Sequence, residues 1–125
     1  MSLPCPACGF LTIEDKFYGT YDICPVCGWK DDHAQLANPA CKGGANPVSL
    51  IEVQKKVLRE VPLDFREYKS FMRDKKWRPL SKEEIEKFSE EKKARRWMNK
   101  GVISTREVYW VKQGERSGSA RQKSN

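Results

Sequence analysis

The sequence predicts an α+β fold, in which a small β-hairpin module carrying two cysteine pairs is followed by a mainly helical region of about three helices. Three observations predict it. Cysteines recur as Cys5/Cys8 and Cys24/Cys27 around a β-rich stretch. Apolar residues change to helical spacing after Pro47. The pattern Ser-x-x-Glu then occurs at Ser49/Glu52 and Ser81/Glu84, each time at the head of such a run.

With 125 residues, a third of them charged, the chain suits one small soluble domain with a terminal extension. Its apolar core must be modest, so a metal crosslink near the N-terminus would compensate for burial that the sequence does not supply. No run approaches the roughly 20 apolar residues of a membrane span. The opening MSLPCPACG places a metal-type motif where a signal peptide would need a basic region and an apolar stretch. The expected compartment is therefore the cytoplasm. Five cysteines, four of them in two tight pairs, read there as metal binding rather than disulfides.

CPACG (Cys5–Gly9) and CPVCG (Cys24–Gly28) are two copies of one device, with fifteen residues between Cys8 and Cys24. Pro6 and Pro25 fix one backbone angle inside each turn, and Gly9 and Gly28 can take the positive φ that follows the second cysteine. Four soft thiolates favour one tetrahedral zinc, with iron in a rubredoxin-like site as the alternative. FLTIE (Phe10–Glu14) and TYDIC (Thr20–Cys24) are β-rich, and KFYG (Lys16–Gly19) supplies a turn, so a hairpin is expected to join the pairs. Together these features predict a zinc ribbon with ligands Cys5, Cys8, Cys24 and Cys27.

Four sulfurs fill the coordination sphere and leave no position for an activated water. The site is thus expected to be structural. Asp31 and Asp32 are read as caps or turn terminators, His33 as a surface or hydrogen-bonding residue. Cys41 is read as an inert thiol, because the chain has no second histidine to activate it.

These residues bring a resemblance into view. CPACG, YDICPVCGWKDD (Tyr21–Asp32), Gln35, GGAN (Gly43–Asn46), Ser49 and Leu50 resemble the bacterial cysteine-rich CPCC family over about the first half of the chain. RPLSKEE (Arg78–Glu84) is similar to a later piece of it. The sequence departs from the family at Ala7, where a third cysteine is usual, which supports Cys5 and Cys8 as the ligands. It departs again at Lys30, which stands where an acidic residue is usual. The resemblance implies a metal-bearing domain without a settled activity. Proteins of this kind often neighbour secreted bacterial toxins, which implies an immunity role by association.

Beyond GGAN, read as a tight loop, Leu50, Val53, Val57 and Val61 line one face of a helix expected over Val48–Val61, stopped by Pro62 and packed on the ribbon. A second helix is expected over Asp64–Lys76, with Phe65, Tyr68 and Met72 on one face. A third is expected from Ser81 to Lys100, with Ile85, Phe88 and Trp97 inward and Gly101 as its stop. Val102–Lys112 reads as an edge strand, with a short helix as the alternative because of Ser104-x-x-Glu107. The resulting organisation is a zinc-ribbon module at 1–47, a basic helical region at 48–112 packed on it, and a disordered tail at 113–125.

Charge is uneven. Residues 1–47 carry three Lys/Arg against five Asp/Glu, whereas residues 48–125 carry twenty-one against twelve, within a net charge of +7. KKARRWMNK concentrates this charge, and Arg95, Arg96 and Trp97 are the candidate partner-binding residues, suited to phosphates and bases or to an acidic protein. With no phosphate loop, nucleophile pair or open metal site, an enzyme is the least expected class. The sequence favours a cytoplasmic zinc protein that acts by binding another protein, such as a toxin. Nucleic-acid binding is the alternative, and no membrane partner is expected.

Overall fold

A computed structural model describes residues 2–93, 102 and 104–111. The elements in chain order are β1 (Ser2–Pro4), β2 (Leu11–Glu14), α1 (His33–Ala37), α2 (Leu50–Glu60), β3 (Glu67–Tyr68), β4 (Phe71–Met72) and α3 (Lys82–Lys93). This is a small α+β arrangement with two short antiparallel hairpins, β1–β2 and β3–β4. No described helix is long and apolar enough to cross a membrane.

The first hairpin differs from the expected one. Phe10–Glu14 does not pair with Thr20–Cys24; Leu11–Glu14 pairs with Ser2–Pro4, in the register Leu3↔Ile13, with an irregularity at Pro4. Proline has no N–H to give a ladder, so the shift falls where pairing is weakest. The cause of the exchange is local. The first cysteine turn already closes on itself, through Cys5 N–H to Phe10 C=O at 2.9 Å and Gly9 N–H to Cys5 C=O at 2.7 Å. Closing so short a loop costs less entropy than closing the longer one between the cysteine pairs. The second turn repeats the device with Cys24 N–H to Trp29 C=O at 2.8 Å and Gly28 N–H to Cys24 C=O at 2.9 Å, and an Ile23↔Lys30 bridge extends it. KFYG does bend, and it folds back so that the buried Tyr18 donates its hydroxyl proton to Pro4 C=O.

Helix α2 follows expectation closely. Ser49 and Glu52 form a reciprocal capping box, and the helix ends at Val61, ahead of Pro62. Leu50, Val53, Val57 and Val61 all pack into one cluster with Cys5, Cys8, Phe10, Cys24 and Trp29. Helix α3 also begins at its expected box, with Ser81 N–H on Glu84 Oε1 and Glu84 N–H on Ser81 Oγ. Its half-buried Ile85 and Phe88 meet Ile51, Leu80 and Tyr109. Trp97, Gly101 and the tail at 113–125 lie outside the described residues.

Two expected elements are replaced. Asp64–Lys76 is not a helix but the β3–β4 hairpin, whose tip residues Lys69 and Ser70 both have positive φ. Phe65 and Met72 are exposed, while Tyr68 and Phe71 pack on the core. The helical spacing of Phe65, Tyr68 and Met72 was therefore coincidental. A tertiary contact decides the outcome, because Arg73 pairs with Phe10 and draws the hairpin onto the β2 side of the first cysteine turn. At the C-terminal end, the expected edge strand of Val102–Lys112 is absent among the described residues. Ser104 Oγ accepts Arg106 N–H and its carbonyl accepts Glu107 N–H, and residues 109–111 make one helical turn. That local serine turn competes successfully with extended backbone, and it delivers Val108 and Tyr109 to the core.

Candidate metal centre

The two cysteine turns bring their sulfurs together. The Sγ atoms of Cys5, Cys8, Cys24 and Cys27 all lie within 4.8 Å of one another, and two of the cross-turn pairs, Cys5–Cys27 and Cys8–Cys24, are 3.7 Å apart. A disulfide holds its sulfurs at about 2.05 Å, so these are free thiols. The spacing fits a metal. Four sulfurs at about 2.3 Å from one tetrahedral ion are separated by about 3.8 Å. These four cysteines could thus hold a metal ion.

Electrostatics point the same way. Hydrogen bonds from Cys27, from the other cysteines and from the Thr12 hydroxyl, 3.2 Å from Cys24 Sγ, drive the Cys24 thiol far down. The hydrogen bond with Cys24 pushes Cys8 far up, and burial pushes Cys5 up. Buried thiols packed this closely compete over their protons. A bound dication removes that conflict, since metal binding displaces the thiol protons.

The glycines after each second cysteine take the expected positive φ, +81° at Gly9 and +83° at Gly28, but their surroundings differ. A Cβ at Gly9 would lie 2.3 Å from the Trp77 ring, while a Cβ at Gly28 would meet nothing within 4 Å. Left-handed backbone costs an ordinary residue about 1–2 kcal/mol. Gly28→Ala is expected to lose about that much stability. Gly9→Ala adds displacement of a buried tryptophan and is expected to lose about 3 kcal/mol or more. Urea unfolding of the metal-loaded variants checks the order; equal losses would show that Trp77 does not press on the turn.

Asp32 acts as the expected cap, and Asp31 braces a distant turn. Asp31 Oδ2 accepts the N–H groups of Gly19 and Thr20, each at 2.9 Å, and the Thr20 hydroxyl, and burial still raises its pKa. Asp32 caps α1 through Ala34 N–H and Gln35 N–H, and its other oxygen takes Ala45 N–H at 2.8 Å. His33 opens α1, where its carbonyl accepts Val102 N–H at 3.0 Å; it is not among the clustered metal-type ligands. Cys41 is buried apart from the cluster, and burial raises its pKa. Arg95, Arg96 and Trp97 lie outside the described residues.

Gln35 and Asn46 enter the sequence reading only through the family resemblance, and Gln54 not at all; the structure gives each a bracing role. Gln35 donates to the carbonyls of Cys41, Asn46 and Val48 and accepts from the Asn46 backbone and side-chain N–H groups. Asn46 in turn brackets Lys30, accepting its N–H and donating to its carbonyl, both at 2.8 Å. The GGAN loop is thereby clamped to the segment that leaves the second cysteine turn. Gln54 on α2 donates to Pro6 C=O at 2.8 Å, inside the first turn.

A comparison with curated proteins finds no match. Residues 3–61 match the family model described as Cysteine-rich CPCC. That stretch runs from β1 through both cysteine turns and the clamped GGAN loop to the end of α2, so just under half of this chain is similar to the cysteine-rich CPCC family.

Proposed function

We propose that the four cysteines hold one zinc ion in a closed, zinc-ribbon-like structural centre, and that the protein acts without catalysis of its own, by binding another protein. The carrying observation is the sulfur set itself. All four tetrahedral corners are occupied by cysteine, and a zinc that activates water keeps one corner open. The nearby acids hold backbone groups, Asp31 through its Oδ2 in the Gly19–Thr20 corner and Asp32 at the α1 cap. Zinc is favoured over iron by availability. Elemental analysis of purified protein, with the visible absorption that iron thiolates show and zinc lacks, separates the two.

Support for a protein partner comes from the surface and the charge. Phe17, Tyr21 and Ile23 are each more than half exposed, and large apolar side chains of this kind are typical of interfaces. A net charge of +7 suits an acidic partner. The family resemblance adds an immunity role, occlusion of a toxin encoded nearby. Co-expression with such neighbouring toxins tests it: a complex and restored growth support the role, and neither sinks it. Fluorescence anisotropy with single- and double-stranded DNA and RNA separates the alternative. Tight, salt-sensitive binding that persists near physiological salt would transfer the basic surface to nucleic acid.

A further inference from the structure

Arg73 is 2% exposed, and the ion pairs formed among the described residues, Arg78–Glu84 and Lys93–Glu90, do not include it. Its Nε donates to Cys8 C=O at 2.8 Å, Nη1 to Pro62 C=O at 2.6 Å and Phe65 C=O at 3.2 Å, and Nη2 to Val61 C=O at 3.2 Å. The guanidinium lies over Phe10, 4.4 Å from the ring centroid. Carbonyl oxygens take four of its five hydrogens, yet they leave its charge uncompensated. A guanidinium cannot escape by losing its proton. Of the other charged side chains that influence it, Arg66 has like charge and Asp64 is exposed.

The cysteine cluster has the opposite need. Four thiolates on one dication carry a net −2, and Cys5, Cys8 and Cys24 are buried. Resting on the metal reading above, we propose that Arg73 is the counter-charge of the metal–thiolate centre, a positioning residue that tightens metal binding and makes docking of the β3–β4 hairpin depend on the ion. Its Nε contact is made to the backbone of a ligand, Cys8. The hairpin is fixed by the same side chain, through the carbonyls of Phe65 and Pro62.

The test is zinc affinity, measured by competition with a chromogenic chelator on the full chain. Arg73→Gln is expected to weaken zinc binding by about tenfold or more, within the range usual for residues that support metal ligands. Arg73→Lys, which keeps charge but loses the fork, is expected to stay within about threefold of the parent. In a Cys27→His background, where the site carries one negative charge less, the Arg73→Gln penalty is expected to shrink. Equal losses in the two Arg73 variants, or none, would assign the residue to bracing alone and overturn the proposal, as would failure of both to fold in excess zinc. A fold recovered by Arg73→Lys and not by Arg73→Gln supports it. A parent protein that takes up no zinc would instead overturn the metal reading, and this inference with it.

Discussion

Chelating the metal from reduced protein is expected to unfold far more than the two cysteine turns. Structural zinc at sulfur-rich sites contributes on the order of 10 kcal/mol, which matches the whole net stability of a small domain. The cysteines are not peripheral here. They share one buried cluster with Leu50 and Val57 of α2 and with Val108, so losing the crosslink removes the floor on which those residues pack. Tryptophan emission should move to the red as Trp29 and Trp77, 2% and 4% exposed in the folded protein, enter water. Helical circular dichroism should fall in the same transition, and returning zinc should restore both. A metal-free protein that still melts cooperatively near the temperature of the loaded form would contradict a structural metal.

Gln35→Ala is expected to be the most damaging substitution away from the cysteines. Gln35 is 3% exposed and spans three carbonyls and two Asn46 N–H groups. Each buried polar group left without a partner costs about 1–3 kcal/mol; with partial rescue by water, the total is about 3–5 kcal/mol. Gln35→Glu separates shape from hydrogen bonding. It keeps the volume but sets an acceptor against three acceptors, and it is expected to cost at least as much as alanine. Denaturant midpoints of zinc-loaded protein check both. A Gln35→Ala loss below about 1 kcal/mol would mean that Asp32 and Asn46 hold the GGAN loop without it.

What could be read from the sequence was whatever is encoded over a few residues. The cysteine turns, the Ser49/Glu52 and Ser81/Glu84 boxes, and the stripe of α2 each depend on near neighbours, and each forms where expected. Helix α1 escaped notice because five residues are too short for a periodic signal, although its cap, Asp32, was recognised as a turn-forming acid. The pairing of β2 was misassigned because β propensity identifies strands without naming partners. Asp64–Lys76 failed for a deeper reason. Its hairpin depends on Arg73 reaching Cys8, 65 positions earlier, and no window of sequence contains both ends. The hydrogen-bonding roles of Gln35 and Gln54 are hidden likewise, since an amide side chain gives no sign of which distant carbonyls it will meet.

Pro6 C=O receives Gln54 Nε2–H and Trp77 Nε1–H, at 2.8 and 3.2 Å, and the same Gln54 amide donates to Tyr109 Oη. During synthesis the first cysteine turn therefore emerges long before the groups that close over it. The ribosome must deliver more than a hundred residues before Tyr109 can complete the set. The nascent chain thus presents its four thiols before the groups that enclose them exist, which opens them to an ion from outside before enclosure. A fragment ending where the family match ends, at Val61, would stop at that stage, with all four clustered cysteines present and neither Arg73 nor Trp77 to cover them.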